Sequence, residues 1–114
     1  MTRTAEAAAS PEDVLVAVAD PIRREILAAL TREGGATPTS LAAGLPVTRQ
    51  AVAKHLAVLD RAGLVRAHRS GREVRYEADL RPLKHATRWL DDLAAQWGNR
   101  LRAIKELAES DASP

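Results

Sequence analysis

The sequence predicts a mainly α-helical domain with one small β-hairpin, built from about five helices and two short strands. A capping residue followed by proline, which is a helix-start signal, occurs three times, at Ser10-Pro11, Asp20-Pro21 and Thr37-Pro38. After Gly63 the apolar residues alternate, as they do in strands. From residue 80 to residue 109 a helical period returns and holds for about eight turns. The hairpin is therefore expected between two helical parts.

The composition is that of one small globular domain. The chain has 114 residues, of which 46% are hydrophobic and 28% charged, and only three of them are aromatic: Tyr76, Trp89 and Trp97. It has no cysteine, which excludes disulfides and thiolate ligands. The longest apolar run spans residues 14–19, far short of the roughly 20 residues that cross a bilayer. With no signal-peptide pattern either, a cytoplasmic protein with no membrane partner is predicted.

Positive charge is concentrated in one part of the chain. The formal net charge is only +2, but residues 45–75 carry seven Arg or Lys against two Asp or Glu, giving +5. Residues 1–44 carry four against six, giving −2, and residues 76–114 carry six against seven, giving −1. A basic block of this kind is typical of a face that binds a polyanion, although a solvated basic surface is the plainer alternative.

Two helices are expected before the basic block. Residues 1–10 are small and polar and predict a frayed tail. The first helix would follow Ser10-Pro11. Its apolar side comprises Val14, Leu15 and Val18. The second would follow Asp20-Pro21 and end at Gly34-Gly35, with a buried side made of Ile22, Ile26, Leu27 and Leu30.

Residues 38–62 predict a helix-turn-helix. A short helix after Thr37-Pro38 leads through a turn at residues 44–47 to a longer helix, which Thr48 caps and Gly63 stops. On this longer helix the core stripe consists of Val52, Leu56 and Leu59, spaced i, i+4, i+7.

The opposite side of the longer helix is polar and suits a DNA groove. Placing the stripe in the core leaves Gln50, Lys54 and Arg61 pointing away from it, with the small side chains of Ala53 and Ala57 beside them. An amide can pair with an adenine edge, and an ammonium with guanine or phosphate. The helix start, with Thr48 and Arg49, suits a phosphate. His55 is expected at the boundary of the core, or as a phosphate contact.

A basic hairpin, or wing, is predicted over residues 64–78. Its strands would span residues 64–69 and 72–78 and join at Ser70-Gly71. Arg69 and Arg72 flank this turn and could enter a minor groove or clamp phosphates. The inner face of the hairpin would be shared by Val65, Ala67, Val74 and Tyr76. Arg66 and Arg75 would pair across the strands with Glu73 or Glu77.

The last helix, residues 80–109, is predicted to join two copies of the chain. Its apolar stripe, about 100° wide, consists of Leu83, Thr87, Leu90, Ala94, Trp97, Leu101, Ile104 and Ala108. We expect the dimer interface to combine this stripe with Val14, Leu15 and Val18, with Trp97 as its anchor. Ordinary packing within one chain is the alternative. The folded domain would span residues 11–109, leaving residues 110–114 as a tail.

Five segments, in this order and spacing, resemble the ArsR/SmtB family of bacterial repressors, and the resemblance covers residues 12–109. The segments are DPIRREIL (20–27), SLA (40–42), TRQAVAKHL (48–56), AGLV (62–65) and RSGR (69–72). The resemblance implies a winged helix-turn-helix fold, a homodimer formed through the terminal helices, and double-stranded operator DNA as partner. It also implies repression that an effector relieves, and nothing in the sequence identifies that effector.

Two alternatives remain beside a sequence-specific repressor on an inverted repeat. A metal-responsive repressor would need a site on the last helix, where His85 and Asp92 share a face but lie about 10 Å apart. A winged helix that serves only protein–protein contact would need an apolar patch on the fourth helix or the wing. No metal, cofactor or catalytic residue is expected, because the chain has no phosphate loop, HExxH or nucleophile elbow.

Overall fold

The structure is a computed structural model, and it describes residues 9–112. Five helices and two strands follow one another as α1 (Pro11–Ala19), α2 (Pro21–Glu33), α3 (Pro38–Ala43), α4 (Arg49–Arg61), β1 (Val65–Ser70), β2 (Glu73–Ala78) and α5 (Arg81–Ala112). This is the predicted mainly helical fold with one hairpin. Of the tail predicted over residues 1–10, residues 1–8 lie outside the described part, and Ser10 is the N-cap of α1.

Side chains stabilise the junction of α1 and α2 at both helix ends. Asp20 caps α2, because its carboxylate accepts hydrogen bonds from the backbone N–H groups of Ile22 at 2.8 Å and Arg23 at 3.3 Å. Although burial opposes it, these bonds lower the pKa of Asp20. Arg23 donates to the carbonyls of residues 17 and 16, and Arg24 to those of residues 18 and 19. The two arginines thereby satisfy the terminal carbonyls of α1, which has no basic residue of its own there.

The helix-turn-helix forms as predicted, and side-chain caps start both of its helices. Thr37 and Ser40 form a reciprocal capping box at the start of α3. The Thr48 hydroxyl oxygen accepts a hydrogen bond from the Ala51 N–H at 3.1 Å and so starts α4. α4 ends at Arg61, one residue before the predicted Ala62, and Gly63 follows with a φ of 77°, a left-handed conformation that favours glycine.

One aliphatic core holds the helix-turn-helix against α1, α2 and the base of the hairpin. Its largest fully buried side chains are Val14, Ile26, Leu30, Val52, Leu56, Leu59, Leu64 and Val65. No charged or polar residue of the described part is buried. The core fixes the rotation of α4, because all three residues of its predicted stripe are at most 1% exposed.

The hairpin is antiparallel, and its turn lies one residue later than predicted. Ser70 pairs with Glu73, so the two turn residues are Gly71 and Arg72, not Ser70 and Gly71. Gly71 takes a φ of 64° at the first turn position, which glycine adopts without steric cost. The predicted inner face forms, with Val65 buried and Val74 and Tyr76 half-buried, but Ala67 is exposed.

Backbone contacts that the sequence did not predict fix the wing to the rest of the domain. Ala36 and Tyr76 form an isolated bridge with N···O distances of 3.0 and 2.8 Å. Arg75 donates to the Gly35 carbonyl at 3.1 Å, so its predicted pairing with Glu73 or Glu77 is wrong. Gly35 has a φ of 128°, and a Cβ there would lie 3.3 Å from the Tyr76 carbonyl oxygen. A side chain at position 35 would therefore strain the backbone and push the Tyr76 carbonyl back by a few tenths of an ångström.

α5 projects far beyond the core. It runs to Ala112, so residues 110–112 are helical and not the tail that the sequence predicts. The radius of gyration is 20.0 Å, against about 13 Å for a compact chain of this length, and the longest dimension is 77 Å. Among residues 81–110 of this helix, for which the structure describes burial, only Ala86 is buried. Neither α5 nor any other helix in the described residues combines the length and apolar character that crossing a membrane requires.

Asp79 anchors the start of α5. Its carboxylate accepts from the Arg81 backbone N–H at 3.1 Å and pairs with both Nε and Nη2 of the Arg81 side chain, at 3.0 and 2.6 Å. Arg66 lies 3.8 Å from the same carboxylate, so its predicted pairing with Glu73 or Glu77 is wrong too. Glu77 instead lies 3.9 Å from His68. The hydrogen bond from the Arg81 side chain is the main cause that lowers the pKa of Asp79 from 3.8 to about 2.

We expect Asp79→Asn to lower the free energy of unfolding by about 1–2 kcal/mol at neutral pH. The pKa of Asp79 is lower in the folded state than in the unfolded state, so the ionised carboxylate stabilises the fold. This stabilisation is complete at pH values above the unfolded pKa of 3.8, and it is lost as pH falls through the folded pKa of about 2. Urea titrations at pH 7 and pH 2.5 measure it, with Asp91→Asn, at an exposed position of α5, as control. If Asp79→Asn lowered the free energy of unfolding by the same amount at both pH values, the stabilising role of the ionised Asp79 carboxylate would be contradicted.

Candidate nucleic-acid interface

α4 presents one apolar side to the core and one polar side to solvent. Gln50, Lys54 and Arg61 are all exposed, opposite the buried stripe. Lys54 and Arg61 make no hydrogen bond or ion pair with any residue in the described range 9–112. Their cationic groups are therefore available to an anionic partner.

Small side chains and a helix N-terminus surround this polar row, and together they favour the approach of an anionic partner. Ala53 and Ala57 are exposed beside it and add no bulk, so the helix backbone can come close to a partner. At the helix start, Thr48 and Arg49 are exposed, and the first N–H groups of α4 carry partial positive charge. The Thr48 hydroxyl is already engaged in the cap, so capping is its primary role.

His55 belongs to the edge of this surface. It is half-buried, and its Nδ1 lies 3.5 Å from Nη1 of Arg23. Arg23 in turn lies 3.6 Å from Asp20. The ring thus contacts the start of α2, as a boundary histidine does, and its role as a phosphate contact stays a prediction.

The wing extends the basic surface past the end of α4. Arg69, at the end of β1, and Arg72, in the turn, are both exposed. Neither forms a hydrogen bond or ion pair with any other part of the chain that the structure describes. The pairing of Arg69 with Val74 leaves it two residues from the tip. Two unpaired guanidinium groups therefore lie at the far end of a hairpin whose base is fixed.

A second, apolar surface runs along α5. Leu90 is 41% exposed, Trp97 53%, Leu101 60% and Ile104 62%. Leu83, Leu90, Trp97 and Ile104 recur every seven residues, a spacing that holds apolar side chains on one side of a long helix. Arg100 lies 5.6 Å from the centre of the Trp97 ring, so the indole already has a cation on one face. A continuous stripe of this size is typical of an interface with another molecule.

The expected contribution of α1 to that surface needs correction. Val14 is only 1% exposed and belongs to the core, so it is not free to contact a second chain. Leu15, Val18 and Leu83 are half-buried. Val16 is 65% exposed and Leu107 68%, although neither belongs to the predicted interface set. The large exposed apolar side chains of the described residues thus lie at Val16, at Leu80 and along α5.

His85, the candidate for a metal site, is exposed near the start of α5 and lines a surface cavity. Within residues 9–112 no group of three or more histidine or acidic side chains is placed to hold a metal ion. Gly98 lies within the unbroken α5, and a Cβ there would meet nothing within 4 Å. Gly98 is therefore not required by close packing against the described residues.

Comparison with known proteins agrees with this fold. Residues 18–68 match the family described as a helix-turn-helix domain. The solved structure of an ArsR-like transcriptional regulator from Rhodococcus sp. RHA1 is 44% identical, with a TM-score of 0.75, and the similarity covers 86% of this chain and 92% of that one. The likeness thus extends over the helix-turn-helix, the wing and most of the remaining chain.

Two curated relatives are transcriptional regulators. The HTH-type transcriptional regulator CmtR of Mycobacterium tuberculosis is 50% identical over 60 residues, which are 53% of this chain and 50% of CmtR. The matched part therefore spans only half the length of that relative. The transcriptional repressor SdpR of Bacillus subtilis is 28% identical over 68% of this chain and 86% of its own. Fold, site and relatives agree, and the chain belongs to the ArsR family of winged helix-turn-helix transcriptional regulators.

Proposed function

We propose that the protein is a homodimeric transcriptional repressor that binds an inverted-repeat operator in double-stranded DNA. In this proposal α4 enters the major groove, the wing contacts the neighbouring backbone or minor groove, and α5 holds two copies together. It acts in the cytoplasm, where such an operator lies. One observation carries the proposal: the side of α4 opposite the core offers an amide and two cations between small side chains, and neither cation has a partner within residues 9–112.

The residue types on α4 suit reading and holding DNA in different ways. Gln50 can form two hydrogen bonds with an adenine edge, which is a sequence-specific contact. Lys54 and Arg61 can pair with guanine or with phosphate. Arg69 and Arg72 would contact the backbone, which positions the protein without reading bases. The basic block of residues 45–75, at +5, thus falls on the elements that would lie against DNA.

The apolar stripe of α5 supports a dimer. A two-fold axis brings the same stripe of both copies together, so one exposed surface covers the other. It would also relate the two α4 helices and place them about one turn of DNA apart, on the two halves of an inverted repeat. A protein that used the winged helix only for protein contact would carry its apolar patch on α4 or the wing. In the described residues the large exposed apolar side chains instead lie on α1, on α5 and at Leu80.

The separate roles of helix and wing can be tested by two substitutions. We expect Gln50→Ala to relax the preference at one base pair of each half-site, where the lost contact contributes about 1–3 kcal/mol of discrimination. We expect Arg72→Ala to weaken binding to all sequences by a similar factor, because a phosphate contact carries no sequence information. Fluorescence anisotropy on an operator selected from random DNA, and on its single-base variants, measures both effects.

Arg32→Ala is a matched control for Arg72→Ala, since it removes the same charge from an exposed position on α2. Unchanged affinity and unchanged base preference in both variants would contradict the docking of α4 and the wing.

A further inference from the structure

The geometry points to a second binding site, a surface cavity that accepts a small amphipathic carboxylate. We propose that Arg66 binds the carboxylate group and that the apolar walls hold the rest of the molecule. The inference deepens the proposed function by naming the class of an effector, and its effector role rests on that function. The cavity has a volume of about 660 Å³ and lies between α1, the end of α4, β1 and the start of α5.

The size and walls of the cavity suit a small organic molecule. Pockets for such ligands measure about 300–1,000 Å³ and are mostly apolar, with a few polar groups that fix orientation. Pro11, Ala67 and Pro82 contribute apolar surface on three different elements. The space between them is large enough for a bicyclic ring system or a hydrocarbon chain of medium length. An apolar body in this position would be removed from water on several sides.

Among the polar groups of the cavity, Arg66 has hydrogen-bond donors left to offer, and the exposed ring of His85 also has no partner in the described residues. The Arg66 Nε lies 3.8 Å from Asp79, which is too far for a hydrogen bond, and Arg66 has no other partner in the described residues. Arg81 occupies the Asp79 carboxylate with two hydrogen bonds, and Asp60 also has a partner. The carboxylates of the cavity are thus engaged, whereas the guanidinium of Arg66 has free N–H groups. A guanidinium can bind a carboxylate with two parallel hydrogen bonds.

The cavity is lined by the end of α4, by the wing and by the start of α5, which are the elements that carry the proposed DNA and dimer contacts. Asp60 and Ala62 belong to the end of α4 and its cap, Arg66 to the wing, and His85 to the first turns of α5. A ligand that contacts these elements together would bind better in one relative arrangement of helix, wing and α5 than in another. Such differential binding is what couples an effector to DNA affinity.

Three probes with one naphthalene body test the assignment on the protein alone: 2-naphthoate, 2-naphthamide and 2-naphthylmethylamine. Calorimetry gives their affinities, and backbone amide shifts in NMR locate the bound molecule. We expect naphthoate to bind saturably with shifts around Ala67 and Pro82, and the amide and the amine to bind at least about tenfold more weakly. Arg66→Gln should weaken naphthoate by at least about tenfold, whereas Arg88→Gln, at an exposed α5 position outside the cavity, should not.

Several results would overturn the site: no saturable binding of naphthoate, equal binding of all three probes, an unchanged affinity in Arg66→Gln, or shifts confined to the distal stripe of α5. These measurements contain no DNA, so their outcome is independent of the proposed function. With the cavity saturated, operator affinity should change by about fivefold or more. An unchanged operator affinity would overturn the effector role, whereas a protein that binds naphthoate but no DNA would contradict the proposed function alone.

Discussion

Trp97→Asp should convert the proposed dimer into monomers at micromolar concentration. Trp97 is 53% exposed in one chain and lies at the centre of the heptad-spaced stripe of α5. In a two-fold dimer the substitution occurs twice, and each copy loses a large aromatic contact and gains a charge that must be buried. We expect the dissociation constant to rise about a thousandfold or more, which corresponds to roughly 4 kcal/mol. Sedimentation velocity measures the change.

Ala95→Asp is the matched control for this substitution. Ala95 is exposed, and its side chain points about 160° away from that of Trp97 around the helix. The control therefore adds the same charge to the same turn without entering the stripe. Circular dichroism should show that both variants remain helical. A Trp97→Asp protein that sediments like the unsubstituted protein would refute the α5 interface and favour a monomer or another contact surface.

Lys54→Glu should abolish most of the DNA affinity. Lys54 is exposed at the centre of the polar side of α4 and has no partner in the described residues, so the substitution breaks no internal contact. It removes a cation from each half-site and brings a carboxylate against phosphates. With about 1–3 kcal/mol lost at each of the two half-sites, we expect binding to weaken by roughly thirtyfold or more. Anisotropy titrations with the selected operator measure this loss.

Lys84→Glu makes the same change of net charge at an exposed position on α5. It separates a local contact at α4 from a general loss of attraction, because long-range effects of net charge are largely screened in salt. Equal losses in the two variants would show that Lys54 has no special position at the DNA.

The side of α4 that faces the core could be predicted from sequence, because the spacing of its aliphatic residues fits one rotation about the helix axis. Val52, Leu56 and Leu59 are the spaced aliphatic residues, and burying them leaves Gln50 and Lys54 outside. The rotation of α1 about its axis could not be predicted in this way, since the six consecutive apolar residues at positions 14–19 fit several rotations. Contacts with the rest of the fold decide that Val14 is buried and Val16 exposed.

The wing shows where local patterns become insufficient. Both Ser70-Gly71 and Gly71-Arg72 are acceptable turn sequences, and the register of the strands selects the second. The partner of Arg75 is a backbone carbonyl 40 residues earlier, and no local charge pattern points to it. Arg66 likewise pairs with Asp79 beyond the hairpin instead of with Glu77 opposite it. Such long-range contacts depend on how elements pack, which sequence spacing alone does not specify.

The salt dependence of operator binding tests the central claim most directly, namely that the outward side of α4 and the wing bind DNA in a dimer. The affinity of the unsubstituted protein for an inverted repeat should fall steeply with salt, with a logarithmic slope of about −0.9 per phosphate contact. In Lys54→Glu the slope should be shallower by about two, one contact per half-site. An affinity that does not depend on salt, or identical slopes for the two proteins, would contradict the claim.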